Sequence, residues 1–155
     1  MIQRVQSIWL LLTSLTLVCL LFLPLITKIT STAELNMYTS GLYKNLQTEP
    51  GTTLKVAASL PLLIFNISLA VLAFANIFTF KNRILQKRIA VVTIILLTAL
   101  NFWVFKAAQG MPGGMDGTTA GVGAFMPILA IIWCFFAVRG IRSDEQLIRS
   151  ADRLR

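Results

Sequence analysis

Nucleophilic catalysis needs a serine or cysteine beside a base, usually histidine, and a metal centre needs histidine, thiolate and carboxylate ligands at short spacing. This chain has no histidine, and its two cysteines, Cys19 and Cys134, both fall inside apolar stretches. Thiols in such surroundings behave as small hydrophobes. The phosphate-cradling glycine motif ends in a lysine and a hydroxyl residue, an ending that the Gly-rich segment GMPGGMDGTTAGVG at 110–123 lacks. Proton relays and ion-coupled transporters carry ionisable side chains within their membrane spans. No apolar stretch here has one in its interior. The expectation is a protein that is not an enzyme, with no catalytic residues, no cofactor and no metal.

What the residues do form is blocks of hydrocarbon length. The 155 residues are 56% hydrophobic and 13% charged, where a soluble domain carries about 25% charged residues. A helical span takes roughly 20 apolar residues, and four stretches qualify: 8–27, 56–80, 89–106 and 122–139. The expected fold is an all-α membrane protein of one domain, with four transmembrane helices in an antiparallel bundle. For the first stretch, a cleaved signal peptide headed by Arg4 is the rival reading. Its apolar run exceeds the roughly 7–15 residues of a signal core, so a retained helix is expected. Trp9 stands at its start, as an interfacial anchor would.

The connections follow. Residues 28–55 form a polar first loop, with partial period-two patterning and a Ser40-Gly41 turn signal that suggest a small hairpin. Residues 81–88, KNRILQKR, are too few for anything but a tight link, so the second and third spans should run antiparallel. Residues 107–121 read as a flexible outer loop. The spacing Gly113, Gly117, Gly121 mimics a helix-dimer motif, but Pro112, Asp116 and Thr118 deny it the apolar helix it needs.

Orientation comes from counting basic residues. One side holds ten: Arg4, Lys81, Arg83, Lys87, Arg88, Arg139, Arg142, Arg149, Arg153 and Arg155. The other holds four: Lys28, Lys44, Lys55 and Lys106. Lys- and Arg-rich short segments stay in the cytoplasm, so both termini and the middle loop should lie there. Contact with the anionic headgroups of the inner leaflet then accounts for the net charge of +8 without invoking a nucleic acid.

Helices in lipid associate through small residues and buried polar contacts. The fourth span carries Gly123, Pro127, Ala130, Cys134 and Ala137 on one face, and the second Ser59, Asn66, Ala70, Ala73 and Asn76. Ala90, Ile94, Leu97 and Asn101 mark the third, and Ser7 and Ser14 the first. These stripes are expected to face the axis, with Asn66, Asn76 and Asn101 pointing inward, either as glue between helices or as a polar substrate path. Pro61 and Pro127 fall in first turns, where a missing N–H costs little. Pro24 comes late in its span and should free the Leu20 carbonyl and kink the helix, splaying the outer leaflet half.

The tail, 140–155, reads as a short amphipathic helix, either continuing the fourth span or turning at Gly140. Ser143 opens a capping box with Gln146. Its arginines would bind lipid headgroups or dock a partner. MIQRVQS at the start, KNRILQKR in the middle, and GAFMPILA with AVRGIRSDEQLIRSADRLR at the end make the chain resemble small tetraspan inner-membrane proteins of the Bacteroidota classed as a domain of unknown function. The resemblance implies a bacterial inner-membrane protein and brings no catalytic residues. Two functions stay open: an accessory or assembly subunit of a larger membrane complex, or a small transporter or lipid-handling protein with an outer-leaflet crevice. A continuous polar cavity past Asn66 and Asn101 would favour the second. A packed axis with a lipid-facing groove of small residues would favour the first.

Overall fold

A computed structural model describes residues 3–30, 33–46, 53–111 and 117–153. Among the described residues the chain is mostly helical, with four α-helices: α1 (Gln3–Cys19), α2 (Leu60–Ile77), α3 (Arg83–Gln109) and α4 (Met126–Arg153). Three helical stretches, Leu60–Phe80, Arg83–Gln109 and Val122–Asp144, are long and apolar enough to cross a membrane, while the apolar part of α1, Gln6–Cys19, is shorter. α1 packs against α2 and α4, and α3 packs against the same two.

The fold is not all-α. Five strands, β1 (Ile26–Thr30), β2 (Ala33–Tyr38), β3 (Gly41–Leu46), β4 (Thr53–Ala58) and β5 (Thr118–Ala120), form one antiparallel sheet in the order β4-β3-β2-β1-β5. The expected hairpin, β2–β3, is the centre of that sheet, turning at Thr39 and Ser40 so that Tyr38 faces Gly41. Gly41 has φ +146°, a conformation L side chains rarely adopt, and a Cβ there would meet the Ala57 carbonyl. The Gly-rich loop contributes β5, whose Thr118–Ala120 pair with Lys28–Ile26. An isolated hairpin is marginal in water. Here the helix ends support the sheet, because Ile26 and Met37 share one apolar cluster with Leu17, Leu62, Val104 and Ala108.

Several boundaries move for physical reasons. α1 stops at Cys19, followed by a turn at 20–22, so Pro24 lies beyond the helix and kinks nothing. Proline and the residue before it both disfavour helix, and the chain leaves for the sheet instead. Leu25 then donates its N–H to the Met37 carbonyl at 2.7 Å. Val56–Ala58, counted above as membrane span, belong to β4, and α2 starts after Ser59 with Pro61 in its first turn. Residues 83–88 of the middle link are helical. Asn82 caps α3 by accepting the Leu85 N–H at 3.2 Å. α4 runs unbroken through Gly140, so Ser143 is mid-helix and caps nothing.

Candidate functional site

Polar groups in hydrocarbon must be satisfied within the protein. On α1, Ser14 Oγ donates to the Ala70 carbonyl of α2 at 3.1 Å. Three residues on, the Leu17 carbonyl accepts from Asn66 Nδ2 at 3.1 Å. Positions that rise along α1 meet positions that fall along α2, so the two run in opposite directions. Asn76 and Gln86 each donate to the other's backbone carbonyl, at 3.2 and 3.3 Å, fastening the end of α2 to the start of α3. Cys134 Sγ contacts the Ala90 carbonyl at 3.4 Å, joining α4 to α3. Hydroxyls elsewhere satisfy themselves: Thr13, Ser68, Thr93 and Thr98 each donate to the carbonyl four residues earlier on their own helix.

Asn66, Ala70, Ala73, Ala130, Cys134 and Ala137 are all buried. Asn101 differs. It is half-buried, donates to Leu97 of its own helix at 3.1 Å, and among the described residues ties no two helices together. Gly123 differs too, lying in a 3-10 turn before α4. Its N–H donates to the Pro24 carbonyl at 2.9 Å, and a Cβ there would approach that oxygen to 2.7 Å. Its smallness serves a backbone crossing rather than a helix–helix contact.

Ser14 and Ala70 also floor a groove. Leu11, Leu15 and Val18 stand at helical steps along one edge, and Ile67, Val71 and Phe74 along the other. All six are exposed, whereas Ser14 and Ala70 are buried. Short side chains let the two backbones approach, and the long ones on either side leave a trough of about 510 Å³. Ala70 belongs to the buried apolar cluster that includes Leu97 and Leu100 of α3 and Ala130 of α4, and it also forms the bottom of this outward-opening, apolar trough. A smaller crevice of about 360 Å³ lies near the sheet, lined by Ile26, Asn101, Val104, Phe105, Ala108, Thr118, Ala120 and Ala124. It reaches Asn101 but is not lined by Asn66.

A pairing that the sequence does not announce closes the opposite end. Gln6 Nε2 on α1 donates to Asp144 Oδ2 on α4, with both side chains buried. Its trace in the sequence is two polar residues near the outer limits of their apolar runs. Trp9 stacks on Trp133 of α4 at 5.2 Å between ring centroids, rather than standing alone as an anchor. Of the basic residues, Arg88, Arg139 and Arg142 are exposed and Arg83 and Lys87 half-buried. The side chains of Lys81, Arg149 and Arg153, and Arg155 as a whole, lie outside the described residues. Among the described residues no group of three or more His, Cys, Asp or Glu is placed to hold a metal ion.

No curated protein matches this chain. A family model described as a domain of unknown function (DUF4293) matches residues 2–154. Helices fit to cross a membrane, tied to one another by amide, hydroxyl and thiol contacts, are therefore the fold of a member of the DUF4293 family, to which this chain belongs.

Proposed function

We propose that the protein is a non-enzymatic accessory or assembly subunit of a membrane complex, and that the α1–α2 groove receives a transmembrane helix of its partner. The groove carries the reading. Small floor residues between two ridges of aliphatic side chains are the surface on which helices pack in lipid, where no hydrophobic force drives association. The buried amides support it, since Asn66 and Asn76 each give Nδ2 to a backbone carbonyl of a neighbouring helix, although their Oδ1 atoms have no partner among the described residues.

In this reading the four helices form an antiparallel bundle that crosses the bilayer four times. α1 has 17 residues, or ~25 Å of helix. It shares the depth of its neighbours, from Gln6 beside Asp144 to Leu17 beside Asn66. The bilayer is a bacterial inner membrane, consistent with the resemblance to Bacteroidota tetraspan proteins. Both termini lie in the cytoplasm, and Lys81, Arg83, Lys87, Arg88, Arg139, Arg142, Arg149, Arg153 and Arg155 meet anionic headgroups, each contributing on the order of 1 kcal/mol. No nucleic acid is required. The family match and the three span-length helices carry the coarser part of this.

A photo-crosslinking residue at Val71, on the ridge, tests the groove against one at Ile95, which is also exposed but lies on α3. A discrete protein adduct at Val71 that is absent at Ile95, and lost when Ala70→Leu fills the floor, is expected. The second reading, lipid handling, draws support from the crevice at Asn101. It predicts phospholipid adducts from Phe105 and no protein adduct at Val71.

A further inference from the structure

The sheet has a second face that the helices do not use. Strand side chains alternate, so Asn36 and Tyr38 of β2 share a face with Tyr43 and Asn45 of β3, the register setting Asn36 opposite Tyr43. Leu35, Met37 and Leu42 take the other face, on which Met37 and Leu42 join the apolar cluster at the helix ends. Against the amide-and-tyrosine face lies the turn that follows α1, bringing Leu21 and Phe22. Together with Ser40 these residues enclose a pocket of about 320 Å³.

The chemistry of that pocket is specific. The Tyr38 and Tyr43 rings meet edge to face at 5.5 Å, and the Tyr43 hydroxyl is held by Ser40 Oγ at 3.2 Å. Phe22 is 77% exposed at the mouth. Asn45 Oδ1 is buried and has no hydrogen-bond partner among the described residues. A buried acceptor left unpaired is costly, and a ligand hydroxyl would satisfy it. The lining contains no charged side chain among the described residues. The nearby Lys55 ammonium lies over the Tyr43 ring, 5.8 Å from its centre. At the edge of the pocket the Glu34 carboxylate, opposite Asn45 on the same face, already accepts from Asn36 Nδ2 at 3.2 Å, so this acid and the Lys55 ammonium are each engaged with the lining rather than left for an ionic ligand. Amides that both donate and accept, beside aromatic faces and edges, suit a ring with hydroxyls on its rim and C–H groups on its face.

We propose that this pocket binds a neutral polyhydroxylated group, a glycosyl unit, with Asn36 and Asn45 bonding its hydroxyls and Phe22 and Tyr38 packing on its ring. The unit could come from a glycolipid headgroup or from a free saccharide, and the test separates the two. Full-length protein is reconstituted into nanodiscs of phosphatidylethanolamine and phosphatidylglycerol. Lactose, sucrose and chitobiose are offered in solution and read by saturation-transfer NMR. In parallel, digalactosyl-diacylglycerol is doped into the discs and its retention over phosphatidylglycerol is read by native mass spectrometry. Saturation of a free sugar assigns a soluble ligand; selective retention of the glycolipid assigns a headgroup. Either signal should fall about tenfold in Asn45→Leu, the loss one buried hydrogen bond carries. It should also fall in Phe22→Ala, whose exposed ring the fold does not need. Absence of both signals in the unmodified protein overturns the proposal, as does a signal that survives Phe22→Ala and Asn45→Leu unchanged.

Discussion

Gln6 on α1 and Asp144 on α4 are joined by a hydrogen bond across 138 positions of sequence, amide to carboxylate, with both residues buried. Gly140, one turn earlier on α4, leaves room for it: a Cβ there would lie 3.1 Å from Gln6 Cγ. Asp144 Oδ1 has no partner among the described residues, so the amide of Gln6 is the group that compensates burying the acid. A polar pair of this kind fixes how two helices slide against each other.

Removing the amide alone should therefore cost more than removing both partners. Gln6→Leu is expected to destabilise the protein by about 1–3 kcal/mol, the cost of an unsatisfied buried group. Adding Asp144→Leu should recover most of that loss. Unfolding of the three variants in detergent micelles closes the double-mutant cycle, and simple additivity would break the link between the two residues.

Asn66 and Asn101 look equivalent by residue type but not by partner. Asn66→Leu removes a contact between α1 and α2 and should cost near 0.6 kcal/mol, up to about 1.7. Asn101→Leu removes a bond within α3 and should change stability by less than the measurement error. Melting temperatures in the same micelle compare them directly, and equal losses would contradict the assignment of Asn66 as the helix-to-helix contact.

The helical half of this fold was legible because its signal is local. Apolar blocks have a length, small residues along α4 repeat at helical steps, and both follow from 3.6 residues per turn. Of the sheet, the β2–β3 hairpin was legible from its period-two patterning and Ser40-Gly41 turn, and the other strands were not, for the opposite reason. Ile26 and Val56 are as apolar as span residues, so hydropathy assigns strand ends to the neighbouring helices. The β1–β5 pairing joins residues such as Thr27 and Thr119, 92 positions apart, and no local pattern announces it. The groove was half visible: Ser14 and Ala70 could be found as small residues, but their neighbours decide whether such residues also floor a trough.

Gly123 should tolerate no side chain. A methyl group would come within 2.7 Å of the Pro24 carbonyl and 2.9 Å of the Leu23 carbonyl, both backbone atoms with little freedom to yield. Overpacking costs about 1–3 kcal/mol, so Gly123→Ala should lower the melting temperature. It should also loosen β5 from β1, seen as faster hydrogen exchange at Gly121, whose N–H donates to the Leu25 carbonyl at 2.9 Å. Unchanged exchange there would show that the crossing does not depend on close approach.

The two thiols should separate by access. Cys19 is exposed at the end of α1, while Cys134 is buried between α4 and α3. A small lipophilic maleimide is expected to modify Cys19 in folded, micelle-embedded protein and to reach Cys134 only after denaturation. Intact-mass spectrometry reads this as one adduct before unfolding and two after. Cys134→Leu tests the same packing from inside, with an expected cost of about 1–3 kcal/mol for the extra volume.

The sidedness of the membrane reading is tested at Thr119 and Ser143, both exposed and at opposite ends of the helices. Thr119 lies in β5, in the sheet that holds Lys28, Lys44 and Lys55; Ser143 lies beside Arg142, near the basic α2–α3 link. Basic short segments stay in the cytoplasm, so single cysteines at these sites, in a background without Cys19 and Cys134, should label asymmetrically. In spheroplasts an impermeant maleimide is expected to modify Thr119→Cys at once and Ser143→Cys only after the membrane is opened. The reverse order would turn the molecule over. The sugar pocket would then open to the cytosol, and Arg139 and Arg142 would lose the anionic leaflet that accounts for their number.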